Sequence, residues 1–340
     1  TRTYAFNAHP KVGFLVSLLL VSIFVLAGGL TYGLFNNSRS LWYFQKSAYA
    51  ANTKSDLAES EKYLAQAIDA VPYDVYYRAQ SEVSIAKINS LLSKDLSRAN
   101  KEEVQKFFST ELAKAITSAR NAQKADSSNY LNWIALGRAY ELAVPPQTEV
   151  VGAYEEAVRS YTGALERNPQ NPGIKLLFAR LEASKNNIKK AKEYTISAIN
   201  QKPNYIDAYY FLAQLEVADK NLKGAIESVA AAAVIEPNNP AIFFQLGFLL
   251  YNAKDFNTAI KSFAKSLELA PDYANSKYFL GLSLVQVGDV KNAITLFEDL
   301  QKTNPDSKEV ELILSNLKAG KTPFANTTAT SPEKRSKLPV

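Results

Sequence analysis

The chain has 340 residues and a net charge of +6, with 47% apolar and 21% charged residues, which is the make-up of a folded protein rather than a disordered one. It holds no cysteine and a single histidine, His9, which excludes disulfides, thiolate catalysis and Cys/His zinc sites. Lys and Glu alternate along the chain, and no run of Lys/Arg interleaved with aromatics marks a nucleic-acid stripe.

A flank of residues 1–11 leads into residues 12–35, VGFLVSLLLVSIFVLAGGLTYGLF, 24 residues without a charge. As a helix this stretch is about 36 Å long, enough to cross a hydrocarbon core of about 30 Å with some tilt. Arg2, His9 and Lys11 border one end, and Arg39, Trp42, Tyr43 and Lys46 the other, where the two aromatics suit the interfacial belt. The alternative is a cleaved signal peptide. Ala48-Tyr49-Ala50 has the small-x-small form of a cleavage site, but it lies about fifteen residues past the apolar run, and a cut there removes half of the next helix. The segment is therefore expected to be an anchor in the lipid bilayer. Arg2 and Lys11 against Arg39 and Lys46 leave the positive-inside rule balanced. Acids occur only on the later side, at Asp56 and Glu59, and the orientation taken is an extracytoplasmic array. Gly29 and Gly33 form a GxxxG pair that suits a neighbouring membrane helix.

Beyond the apolar stretch, Pro169, Pro203, Pro237, Pro271 and Pro305 stand 34 residues apart without a slip. Other positions repeat in phase with them. The unit from Tyr130 has Trp133, Leu136, Gly137 and Tyr140, then Ala157, Tyr161, Ala164 and Pro169. The unit from Pro240 has Phe243, Leu246, Gly247, Ala259, Phe263 and Pro271, and that from Ala274 has Leu280, Gly281, Ala293, Phe297 and Pro305. The units from Pro172 and Ile206 give Phe178, Ala179, Ala191, Ala198 and Pro203, then Tyr209, Leu212, Ala213, Ala225, Ala232 and Pro237. Small residues at three places let two antiparallel helices approach closely, large ones fill the space between units, and proline stops the second helix. This pattern resembles the tetratricopeptide repeat (TPR) family, whose unit is a helix A–turn–helix B of 34 residues.

The resemblance implies an all-α fold: an N-terminal transmembrane helix followed by an α-solenoid over residues 41–307. Its units fall near 41–74, 75–129, 130–171, 172–205, 206–239, 240–273 and 274–307. The second unit carries about 21 extra residues around Leu91–Val104, and the third about eight around Val144-Pro145-Pro146-Gln147-Thr148. The first unit, with Leu64, Ala67 and Pro72 in register, begins about six residues after the apolar stretch, so a short linker is expected between them. Residues 308–320, with Val310, Leu312, Ile313, Leu314 and Leu317 before Gly320, read as a capping helix, and residues 321–340 as a flexible tail. Asn326-Thr327-Thr328 in that tail has the form of a glycosylation acceptor.

In TPR arrays helix A lines the concave face. Position 5 of that helix reads Leu176, Tyr210, Phe244 and Tyr278; position 9 reads Arg180, Gln214, Phe248 and Leu282; position 12 adds Val217, Tyr251 and Val285. The resemblance thus implies a partly aromatic groove made by Arg180, Tyr210, Gln214, Phe244, Phe248, Tyr251 and Tyr278, suited to a protein or peptide ligand. Packing against the neighbouring unit is the competing role for each aromatic. The carboxylate clamp of chaperone-binding members is missing, because position 6 is Phe211, Gln245 and Phe279. Nucleophile-elbow, zincin, phosphate-loop and dinucleotide motifs are all lacking, and Glu155-Glu156 reads as a solvated outer face. No catalytic, cofactor or metal residue is assigned, and the chain is read as non-enzymatic.

The expected function is a membrane-anchored scaffold for protein–protein interaction. An alternative of another class rests on the arrangement and on the tail Ala319-Gly320-Lys321-Thr322-Pro323-Phe324, with the absence of a starting methionine in its favour. A hydrophobic span before a TPR array resembles the C-terminal portion of bacterial polytopic membrane proteins related to O-antigen ligases and polymerases. In that reading the chain is the accessory domain of a glycan-transferring enzyme, and its partners include glycan or glycan-assembly machinery. A third reading is a surface filament subunit, against which stands the lack of any acidic residue before Asp56.

Overall fold

Helix α1 (Pro10–Asn52) is one unbroken helix of 43 residues, about 64 Å long. The linker expected between the apolar stretch and the first repeat is not there. Asn36-Asn37-Ser38-Arg39-Ser40 contains neither proline nor glycine, so nothing interrupts the hydrogen-bond ladder. The second half of α1 is then helix A of the first repeat. The computed structural model describes residues 10–95, 99–145, 148 and 150–325, and fifteen α-helices with no strand run through them. Arg2, His9, Pro146, Gln147, residues 96–98 of the first insertion, and the tail from residue 326 with its Asn326-Thr327-Thr328 pattern lie outside the described residues.

Contacts divide the chain at Ile174/Lys175 into two parts, each taken by itself. In the first, α1 pairs with α2 (Leu57–Ala70), α3 (Asp74–Leu92) with α4 (Lys101–Ala125), and α5 (Tyr130–Glu141) with α6 (Ala153–Arg167). The extra residues of the second unit lengthen its helices, to 19 residues in α3 and 25 in α4. Those of the third enlarge the loop between α5 and α6.

The second part holds α7 (Pro172–Ser184), which opens at the boundary, and then α8 (Ile188–Gln201), α9 (Ile206–Ala218) and α10 (Leu222–Ile235). It continues with α11 (Pro240–Asn252), α12 (Phe256–Leu269), α13 (Ala274–Gln286) and α14 (Val290–Thr303). Proline stands two residues after the last residue of α6, α8, α10, α12 and α14. Five of the seven turns from helix A to helix B pass through a left-handed residue at the same repeat position: Ser55, Asn186, Lys220, Lys254 and Gly288. Four of the five are not glycine, at a cost of about 1 kcal/mol or more each. The next residue is the N-cap in all five, and in four of them the side chain, of Asp56, Asn221, Asp255 or Asp289, accepts from the first backbone amides of helix B.

Within a unit, close approach is set by the small residue of helix A. A Cβ placed on Gly247 would lie 2.7 Å from the Phe263 ring, and one on Gly281 would lie 2.7 Å from the Phe297 ring. The array closes on α15 (Lys308–Lys318), whose Val310, Ile313, Leu314 and Leu317 are buried against Phe297 and Leu300. Residues 321–325, expected to open a flexible tail, are instead held against the end of the array. The Asn316 amide donates to the carbonyls of Pro323 (2.9 Å) and Ala325 (3.2 Å), and Phe324 packs on the last core cluster.

Candidate functional site

The face to be tested is that of helices α7, α9, α11 and α13. A strict 34-residue period places corresponding residues in line along a TPR stack, but here their surroundings change from one end to the other. On α7 and α9, Arg180, Gln214 and Val217 are exposed, and Tyr210 and Phe211 are half-buried. On α11 and α13, Phe248 and Tyr251 are half-buried, whereas Phe244 is 8% exposed and Tyr278 is fully buried. Leu176 and Leu282 are buried as well.

Of the aromatics expected in the partly aromatic groove, Phe244 and Tyr278 are buried, so for these two the competing role, packing, is the one the structure gives. The physical reason is Phe279, fully buried at the next helical position, whose ring comes up between the units. Its centroid lies 5.0 Å from Phe248, 5.6 Å from Tyr251, 6.1 Å from Phe263 and 6.2 Å from Phe244. Tyr278 turns towards the cap, where its hydroxyl donates to the Glu309 carboxylate, and its ring meets Phe297 edge-on at 5.7 Å. Position 6, which in the sequence served only to rule out a carboxylate clamp, is the position that decides which aromatics remain open.

At the α7–α9 end the chemistry is different. The Arg180 guanidinium lies 5.9 Å from the Phe211 ring centroid, and among the described residues no carboxylate forms an ion pair with it. Burial and Asp207 push the Tyr205 phenol above its ordinary value, with Arg180 acting in the opposite direction. Burial, with Glu236 and Tyr273 near, likewise raises Tyr210. Nearby cations on helix B are already used: Lys192 bridges to Glu216 (2.7 Å) and Asp219 (2.6 Å) on α9, tying adjacent units together. Arg180 is thus a cation left open beside two aromatic rings, with Gln214 and Val217 further along the same face.

In the first part, a surface depression of about 670 Å³ between α2, α3 and α4 is lined by Glu61, Gln80, Lys114, Thr117 and Ser118 among others. Its charges are satisfied internally. Lys114 binds Glu61 at 3.0 Å and Glu111 at 3.1 Å, and Lys87 binds Glu61 from the other side. Among the described residues no group of three His, Asp or Glu side chains is gathered to hold a metal ion.

Sequence models of the tetratricopeptide repeat match residues 151–215 and 240–273. No curated protein matches the chain. Among solved structures, yeast Tom70 is similar with a TM-score of 0.51 and 17% identity, over 85% of this chain and 55% of that one. A tetratricopeptide repeat protein from Parabacteroides merdae ATCC 43184 scores 0.44 at 15% identity, over 82% and 98%. YrrB, described as a TPR protein with an unusual peptide-binding site, scores 0.43 at 20% identity, over 56% and 95%. The resemblance to Tom70 is one of fold.

Proposed function

We propose, from the tetratricopeptide repeats that this chain carries, that it is a non-catalytic scaffold held in a membrane by α1, with a protein or peptide ligand on the helix A face of its second part. The observation that carries the binding reading is the open end of that face. Arg180, Gln214 and Val217 are exposed there beside the half-buried rings of Tyr210 and Phe211. Such a surface offers apolar contact area at low entropy cost and one unpaired cation to orient a ligand. The anchoring reading is supported by the apolar half of α1, where a window of 18 residues with mean hydropathy 2.5 is left uncovered by the other described residues.

Site-specific photocrosslinking in the native membrane tests the binding. Probes replacing Gln214 and Val217 are expected to give one discrete polypeptide adduct, and probes replacing the outward-facing Lys223 and Lys265 none. Arg180→Glu with Gln214→Lys is expected to lower adduct yield by tenfold or more, a change of about 1.4 kcal/mol, with the melting temperature within about 2–3 °C of the parent. Equal adducts from both faces would remove the reading. The array is placed on the extracytoplasmic side. Since the chain has no cysteine, Ser93→Cys reports this cleanly: an impermeant maleimide is expected to label intact cells, and labelling only after lysis reverses the orientation.

A further inference from the structure

Because α1 is one helix, it fixes more than the attachment of the repeats. It also sets the height and tilt of the first repeats relative to the end of the apolar stretch at Phe35. The residues just beyond that end are tied sideways to the first turn from helix B to helix A, Val71-Pro72-Tyr73. Tyr73 donates its hydroxyl to Asn37 Oδ1 at 3.0 Å, and the hydroxyls of Tyr76 and Ser40 are 3.1 Å apart. Arg39 lies 3.9 Å from Asp69 at the end of α2. That turn therefore stands about 3 Å, two helical residues, beyond Phe35, the last residue of the apolar stretch.

The same level continues into the next units. Asp74 Oδ2 accepts from the side-chain amides of Asn129 (3.0 Å) and Asn132 (2.8 Å), which brings the α4–α5 turn beside the α2–α3 turn. Trp133 donates its indole N–H to the Ser127 carbonyl at 2.8 Å. Arg167, at the end of α6, donates to that same carbonyl and lies over the Trp133 ring at 4.3 Å. A ladder of side-chain bonds thus runs from Asn37 through Tyr73, Asp74 and Asn129 to Ser127 and Arg167, along one edge of the first part.

The composition of this edge is amphipathic and aromatic. Tyr73 is 44% exposed and Leu131 is 39% exposed, Tyr130 and Trp133 are half-buried, and Pro72, Ser127 and Ser128 are exposed. Aromatic rings with one polar atom, set beside an arginine, suit the zone where headgroups meet acyl chains. The opposite edge carries Thr53, Lys54, Ser93 and Lys94 at its turns. It lies about 24 Å further along α1, sixteen residues from Asn37 to Thr53.

We infer that the helix B to helix A edge of the first part, centred on Tyr73, Leu131 and Trp133, rests on the headgroup–acyl boundary of the bilayer, so that the first repeats stand upright on the membrane. The inference rests on the anchoring reading of α1 and adds a second lipid contact to it. Its consequence for function is geometric: the ends of helices α3 and α5 that point to the membrane are closed to soluble partners.

Single-cysteine variants of the full chain in phosphatidylcholine vesicles test it. Each is labelled with a small fluorophore and quenched by nitroxide lipids labelled on the headgroup or on the acyl chain. Ser128→Cys and Leu131→Cys are expected to be quenched several-fold more by the headgroup nitroxide than Thr53→Cys and Ser93→Cys. Equal quenching at the two edges, or stronger quenching at Thr53 and Ser93, overturns the inference. Phe24→Cys, quenched by the acyl-chain nitroxide, separates the two readings. Without that signal the anchor fails and the edge contact fails with it; with that signal and a dark edge, only the edge contact fails.

Discussion

Phe279→Ala is expected to lower the stability of the second part by about 3–5 kcal/mol, the range for emptying a fully buried phenylalanine site. Little can collapse into the space, because its neighbours are themselves rings held by contacts of their own. Phe263 is seated against Gly247 of its own helix pair, and Tyr278 is tied to the cap through Glu309. Repeat arrays are stabilised by nearest-neighbour interfaces, so the loss should be local. Amide exchange in α13, α14 and α15 is expected to rise while that in α8 and α9 stays near the parent. Phe248→Ala, half-buried and touching the same ring at 5.0 Å, should cost distinctly less in the same denaturant titration. A change below about 1 kcal/mol for Phe279→Ala would mean that the units are not coupled through this ring, and would return Phe244 and Tyr278 to the groove residues.

The contrast between these aromatics shows what was readable before folding. The prolines and the small residues act within a few positions or within one helix pair, so their chemistry is local and their period carries the fold. Proline two residues past α6, α8, α10, α12 and α14, and Gly247 under Phe263, are cases of this kind. Whether Tyr210 or Phe244 is open depends instead on what stands 35 residues later in the next unit. At Phe244 that is Phe279, and the ring is covered; at Tyr210 it is Gln245, and the ring stays half-exposed. A period aligns positions without saying which neighbour fills them. The continuity of α1 was hidden for a related reason. The polar run Asn36-Asn37-Ser38 looks like a linker by composition, but Asn37 and the nearby Ser40 are the partners of Tyr73 and Tyr76, whose positions only the fold supplies.

Leu20→Arg combined with Phe24→Arg is expected to strip the chain from membranes while leaving the repeats folded. Each arginine near the centre of a membrane helix costs about 2.5–3.5 kcal/mol on the insertion scale, so the pair shifts partitioning by about 5–7 kcal/mol, roughly four orders of magnitude. The parent protein should remain in the pellet after alkaline extraction and the variant should not, with the helical circular dichroism of the repeats retained. Survival of both in the pellet would show that something other than the apolar half of α1 attaches the chain. The cleaved-signal alternative is tested by the same preparation, through the mass of the parent. Removing residues up to Ala50 would take away Ser40 and Ser47, which are 0% and 3% exposed. It would also strip the cover from Tyr76 and break the 2.8 Å contact between Ser47 and Ser60. A buried tyrosine and a buried serine would lose their partners in the first repeat. The helix proposed as the anchor is also the helix A that packs in the first repeat, which is why an intact α1 is expected in the mature protein.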